Sequence, residues 1–163
     1  MELLNSAHRY IGRASPRKVQ HNLDGLIFRD IPMPAAIEDS VVIGNGDSSV
    51  ILTPAGTPNE LGFPTQIAIS AGPFRGTIVD DTVGRYERFH RELLDLYQSL
   101  SGTARLGSYE HFSLVLTAYH TGSIGVEVAA FGSHVPRVKV EYGFEFDQTY
   151  LPPIIESIER LFL

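Results

Sequence analysis

The sequence predicts an α+β fold: an antiparallel β-sheet with two amphipathic helices packed on it, in the order strands, helix, three-stranded meander, helix. Three observations carry this expectation. Tyr86, Phe89, Leu93, Leu96, Tyr97 and Leu100 recur at the spacing of a single helix face. Val138, Val140, Tyr142, Phe144 and Phe146 alternate with Arg137, Lys139, Glu141, Gly143 and Glu145, as a strand with one buried face requires. Leu151, Ile154, Ile155, Ile158 and Phe162 then return to the helical period. Two striped helices and a one-faced sheet can bury their apolar surfaces against each other, which gives two layers.

In chain order, residues 1–39 read as an irregular arm or extended cover, and residues 40–163 as a single α+β domain. The arm mixes charge with Gly and Pro. Its one compact apolar cluster is Leu26-Ile27-Phe28, and Ile31-Pro32-Met33-Pro34 enforces an extended path. Ser40-Val41-Val42-Ile43 and Ser49-Val50-Ile51-Leu52 flank the turn cluster Gly44-Asn45-Gly46-Asp47, which predicts a hairpin. Thr65 to Ser70 alternates as a strand, and Gly72-Pro73 is expected to bend or bulge it before Gly76-Thr77-Ile78-Val79 resumes.

The long helix follows, with Asp81 or Thr82 placed to cap its start and Gly102 to end it. Glu87 and Arg91, four apart, are placed to pair on its exposed side. Strands around Phe112–Thr117, Ile124–Ala129 and Val138–Phe146 make the meander, joined at His120-Thr121-Gly122-Ser123 and Gly132-Ser133-His134. Asp147 is placed to cap the last helix, and Pro152-Pro153 are tolerated only near its beginning.

Composition excludes several function classes. The chain has 163 residues, no cysteine and a formal net charge of −6. Without cysteine there is no disulfide, thiolate metal site or cysteine nucleophile, which suits a reducing compartment. Glu2 stands where a signal peptide has positive charge, and no apolar run approaches the roughly 18 residues of a membrane helix. A cytoplasmic protein without a membrane partner is expected. Residues 1–38 hold five basic and four acidic side chains, so the acidity falls on the remainder. An acidic body argues against nucleic acid and is compatible with a basic partner.

No phosphate loop, nucleophile elbow or His-Glu-x-x-His motif occurs. None of the six histidines pairs at helical ligand spacing, and His120 and His134 belong to connections expected at opposite ends of the sheet, so neither metal nor other cofactor is expected. His90 and His111 are the candidates for acid–base work, with Glu110 nearby, but the simpler reading gives His90 a local hydrogen bond. Asp80-Asp81 reads as capping chemistry before a helix rather than a cation site. Catalysis is therefore not expected. Glu127, Arg137, Lys139, Glu141 and Glu145 share the polar face of neighbouring strands, either as a solvated face with cross-strand pairs or as a partner-binding surface. The arm is a candidate cover for an edge strand of its own chain or of a second subunit, which leaves a homodimer as the alternative assembly.

One string is more specific. Phe144-Glu145-Phe146-Asp147-Gln148-Thr149-Tyr150-Leu151 precedes the closing helix, and Thr121-Gly122-Ser123-Ile124-Gly125-Val126-Glu127-Val128 lies before it. In this order of elements and in Asp147-Gln148-Thr149-Tyr150-Leu151, the stretch from about Val41 to Leu163 resembles the WapI-like immunity proteins. The resemblance implies a binding protein that neutralises the toxin domain of a bacterial polymorphic toxin, with no chemistry of its own. The chain departs from that pattern in lacking tryptophan and in carrying the arm, which bears on the partner more than on the fold.

Overall fold

The computed structural model describes residues 37–44, 46–132 and 138–163. Residues 1–36 of the arm, Asn45, and His134 and Arg137 of the last connection lie outside them, and Ile37–Asp39 forms a short 3-10 turn before β1. The described strands form one antiparallel sheet in strict sequence order: β1 (Val41–Gly44), β2 (Ser48–Pro54), β3 (Phe63–Ala71), β4 (Phe74–Gly84), β5 (Thr103–Ser108), β6 (Phe112–Ala118), β7 (Ser123–Phe131) and β8 (Lys139–Asp147). Helix α1 (Tyr86–Ser99) joins β4 to β5, and α2 (Leu151–Phe162) closes the chain. The α+β class with two helices on an antiparallel sheet is thus observed.

The ladder follows from alternation. Val41 and Ile43 pair with Leu52 and Val50, which pair in turn with Ile67 and Ile69. Farther along, Leu106, Leu114, Val128 and Tyr142 sit in register on the same face. Most of these side chains are fully buried and join the helix stripes, Phe89, Leu93 and Leu96 of α1 and Leu151, Ile154, Ile155 and Ile158 of α2, in one core. The sheet curls until its end strands lie close, yet β1 and β8 share no ladder. The Tyr142 hydroxyl spans this seam and donates to the Ser49 carbonyl on β2 at 2.9 Å. Tyr86, at the start of α1, stacks on Phe162, at the end of α2, at 3.9 Å, with Phe63 edge-on to both.

Four expectations are corrected. Gly72-Pro73 does not bend one strand. It is a two-residue hairpin turn that sets Phe74 opposite Ala71, made possible by the positive φ of Gly72 (58°). A bulge does occur, but on β4, where two residues, Val79 and Asp80, lie opposite Gln66. Second, four strands lie between the helices, not three, because Thr103–Ser108 forms β5. Glu92 anchors that strand to α1, accepting from Arg105 N–H at 2.8 Å while pairing with Arg88 at 2.6 Å.

Third, Asp81 does not cap α1. It is buried within β4, its Oδ1 accepts from Thr82 N–H, and the helix starts only after Arg85, which takes the left-handed turn itself (φ 67°). The chain reverses at Arg85 because β4 runs on to Gly84 to meet β5. Fourth, the left-handed C-terminal cap is Leu100 rather than Gly102.

Asp147, by contrast, accepts from Thr149 N–H at 2.9 Å and caps the 3-10 turn Gln148–Tyr150 that runs into α2. This accounts for most of the Asp147-to-Leu151 string. Gln148 N–H donates to Gly122 O, Tyr150 packs edge-on to Phe146 at 6.0 Å, and Leu151 is fully buried.

Candidate partner-binding face

The face of β6, β7 and β8 turned away from the core carries four of the five residues expected to share a surface. Register sets Gly125 opposite Glu145, Glu127 opposite Gly143, Ala129 opposite Glu141 and Phe131 opposite Lys139. Glu127, Lys139, Glu141 and Glu145 are all exposed there. Arg137 lies outside the described residues.

The relief of this face comes from its small residues. Gly143 and Ala129 of β8 and β7 adjoin Ser113 and Val115 of β6 and leave an open trough of about 480 Å³ flanked by Glu127 and Glu141. Beyond it, the Tyr119 ring lies over Gly125, where a β-carbon would fall 2.6 Å from the Tyr119 hydroxyl. A bare glycine thus seats an aromatic ring on the exposed side of a strand.

The charge of the face is unbalanced. Lys139 is its single described cation, held at 2.5 Å by Glu141 and at 5.4 Å over the Phe131 ring. Glu127 faces Val115 and Gly143 across the ladder and makes no ion pair among the described residues. At the far end Asp147 keeps its carboxyl below the usual carboxylate range, chiefly because Thr149 N–H donates to it. The trough floor thus lies between Glu127, which makes no ion pair among the described residues, and Glu141, which is paired with Lys139.

The other candidates are dispersed. Among the described residues, no group of His, Asp and Glu could hold a metal ion. His111 sits in the β5–β6 turn 3.8 Å from Glu110, where the Ser108 hydroxyl accepts from His111 N–H and Phe112 N–H. His90, expected to make a local hydrogen bond, lies on α1 with its Nε2 buried and unpartnered. His120 lies in the β6–β7 connection. A second hollow, about 320 Å³, lies at the start of α1 and the end of α2 between Arg85, Arg160 and the Tyr86–Phe162 stack. Sequence reasoning missed the trough floor, although the alternation of β6 already put Ser113 and Val115 on one face.

Comparison with known proteins adds one finding. The model of the immunity protein WapI-like family matches residues 42–163, from β1 through the end of α2. No curated protein and no solved structure matches the chain. The match covers well over half of the sequence and every element of the sheet, and the chain belongs to the WapI-like immunity protein family.

Proposed function

We propose that this protein is a non-enzymatic immunity protein that acts in the cytoplasm. It binds the toxin domain of a bacterial polymorphic toxin and masks it with the outer face of β6–β8. The observation that carries the reading is an acidic, glycine-floored trough on the solvent face of a chain from an immunity family. Glu127, Glu141 and Glu145 meet basic side chains of the toxin, and Lys139 fixes the position of Glu141. Carboxylates of this kind speed encounter with a cationic surface and set orientation more than they add affinity.

The test is protection of cells expressing the toxin domain encoded beside this protein, together with calorimetric binding of the purified pair. Glu127→Lys combined with Glu141→Lys is expected to weaken binding by roughly tenfold or more, to abolish protection, and to leave the thermal melt unchanged. Wild-type protein that neither binds nor protects against that toxin overturns the family-based reading. A double variant that protects as well as wild type moves the interface elsewhere.

A further inference from the structure

Strand β4 is paired along one edge and, among the described residues, only at the end of the other. Toward β3 it is in ladder contact from Phe74 to Val83, whereas on its other side only Val83 and Gly84 meet β5. Among the described residues, nothing pairs with that second edge from Phe74 to Asp81. Of the usual edge protections, the stretch has one charged residue, Arg75, and the bulge that ends it. Phe74 is 70% exposed and Val79 63% exposed, and the stretch before the bulge contains neither Lys nor Pro.

We propose that this edge pairs antiparallel with the same edge of a second copy of the chain, about a twofold axis at Gly76, so that two sheets become continuous. The inference does not rest on the toxin-binding reading. A two-residue turn at Gly72-Pro73 makes Ala71 and Phe74 the closing pair, whose backbone groups face each other. Alternation then turns the N–H and C=O of Gly76 and Ile78 toward β3, and those of Arg75 and Thr77 toward the open side. With the axis at Gly76, Arg75 lies opposite Thr77 of the partner subunit, and the two exchange both backbone hydrogen bonds on either side of the axis.

The same register sets Phe74 opposite Ile78 of the partner subunit. This is an aromatic–β-branched pair at the non-hydrogen-bonded sites where side chains approach most closely. Gly76, with no side chain, leaves room for both rings. Moving the axis to Arg75 opposes like charges, and moving it to Thr77 sets Phe74 against the bulge and loses the pair. The bulge at Val79-Asp80 ends the ladder, so the interface is short and belongs to the weak class.

Sedimentation velocity of the full chain from about 10 μM to about 1 mM, with hydrogen exchange read at the Arg75 and Thr77 amides, tests the proposal. The mass is expected to rise toward that of a dimer with concentration while both amides become slower to exchange. Thr77→Pro removes an N–H that points away from β3, so it is expected to weaken association by roughly tenfold or more while keeping the β3–β4 ladder. Phe74→Glu is expected to do the same by replacing the aromatic contact with a carboxylate that must be desolvated against Ile78 of the partner subunit, and it decides the matter should the proline variant fail to fold. A monomer at every concentration overturns the proposal, as does undiminished association of the folded variants. So does protection of both amides in the dilute monomer, or protection only after a different protein is added, which would assign the edge to a foreign strand.

Discussion

Replacing Tyr142 with Phe tests whether the seam between the sheet's ends is held by a side chain. The hydroxyl donates to Ser49 O across 93 residues of sequence, and the ring lies 6.1 Å from Phe144. The substitution keeps the ring and deletes one hydrogen bond, so the expected loss at neutral pH is about 1 kcal/mol. Burial also pushes the phenol up from 10.0 to about 12. A folded-state value above the unfolded one means that the contribution is fully present below pH 10.0 and is lost as the pH rises through about 12. Taken at face value the gap is worth about 2.7 kcal/mol, but the side chain is only partly buried, and solvent screening reduces it to about 1 kcal/mol. Urea unfolding followed by circular dichroism at pH 7.5 and at several values between 10 and 12 reads both effects. The wild type is expected to lead the variant by about 1 kcal/mol at neutral pH, and the lead is expected to shrink through the alkaline window. Tyr86, whose phenol is also raised by burial, titrates in both proteins and cancels. Equal stability at pH 7.5, or a lead that does not change with pH, refutes the clasp.

Three further outcomes follow from the packing. Leu93→Ala, at a fully buried position of α1, is expected to cost about 2–5 kcal/mol in urea unfolding. Asp81 is buried with Oδ2 unpartnered, so Asp81→Asn, which removes the charge, is expected to stabilise by about 1 kcal/mol and raise the melting temperature at neutral pH. Asp147→Ala is expected to lower the melting temperature at pH 7. Because the folded carboxyl titrates below 3.8, that difference is present above pH 3.8 and disappears as the pH falls through the lower folded value, which a melt series down to pH 2 reads.

Where a segment's partners were local, the sequence was legible. The α1 stripe from Tyr86 to Leu96, the alternation of β8 and the Asp147 junction each depend on neighbours within a few residues and form close to where the pattern places them, although Tyr97 is exposed, Leu100 falls beyond the helix and Asp147 caps the 3-10 turn that leads into α2. What misled depended on distant partners. Gly72-Pro73 has the same local appearance as a bulge or a turn, and only the pairing of Ile67 with Ile78 makes it a hairpin. Strand β5 offers two inward apolar residues, Ala104 and Leu106, between Thr103 and Gly107, too few to stand out. It is a strand because Leu114 and Leu116 pair with it and Glu92 anchors it. Asp81 resembled a cap because acids commonly precede helices, and nothing in Asp80-Asp81-Thr82 announces that β4 continues to Gly84.

The face of β6–β8 was legible in the same partial way. Alternation assigned Glu127, Lys139, Glu141 and Glu145 to a polar side, but a trough exists only once Gly143 stands beside Glu127 and Ala129 beside Glu141, which is a matter of register. The residues on which the resemblance rests answer to a different constraint. Asp147, Gln148, Tyr150 and Leu151 close the joint between the last strand and the last helix, and they do so whatever the partner is. Glu127 holds no such joint: it has only Val115 and Gly143 across from it and stands on a solvent-facing site. The charges on this face can therefore change without disturbing the core beneath it, since β-strand alternation separates the two sets of side chains by one residue.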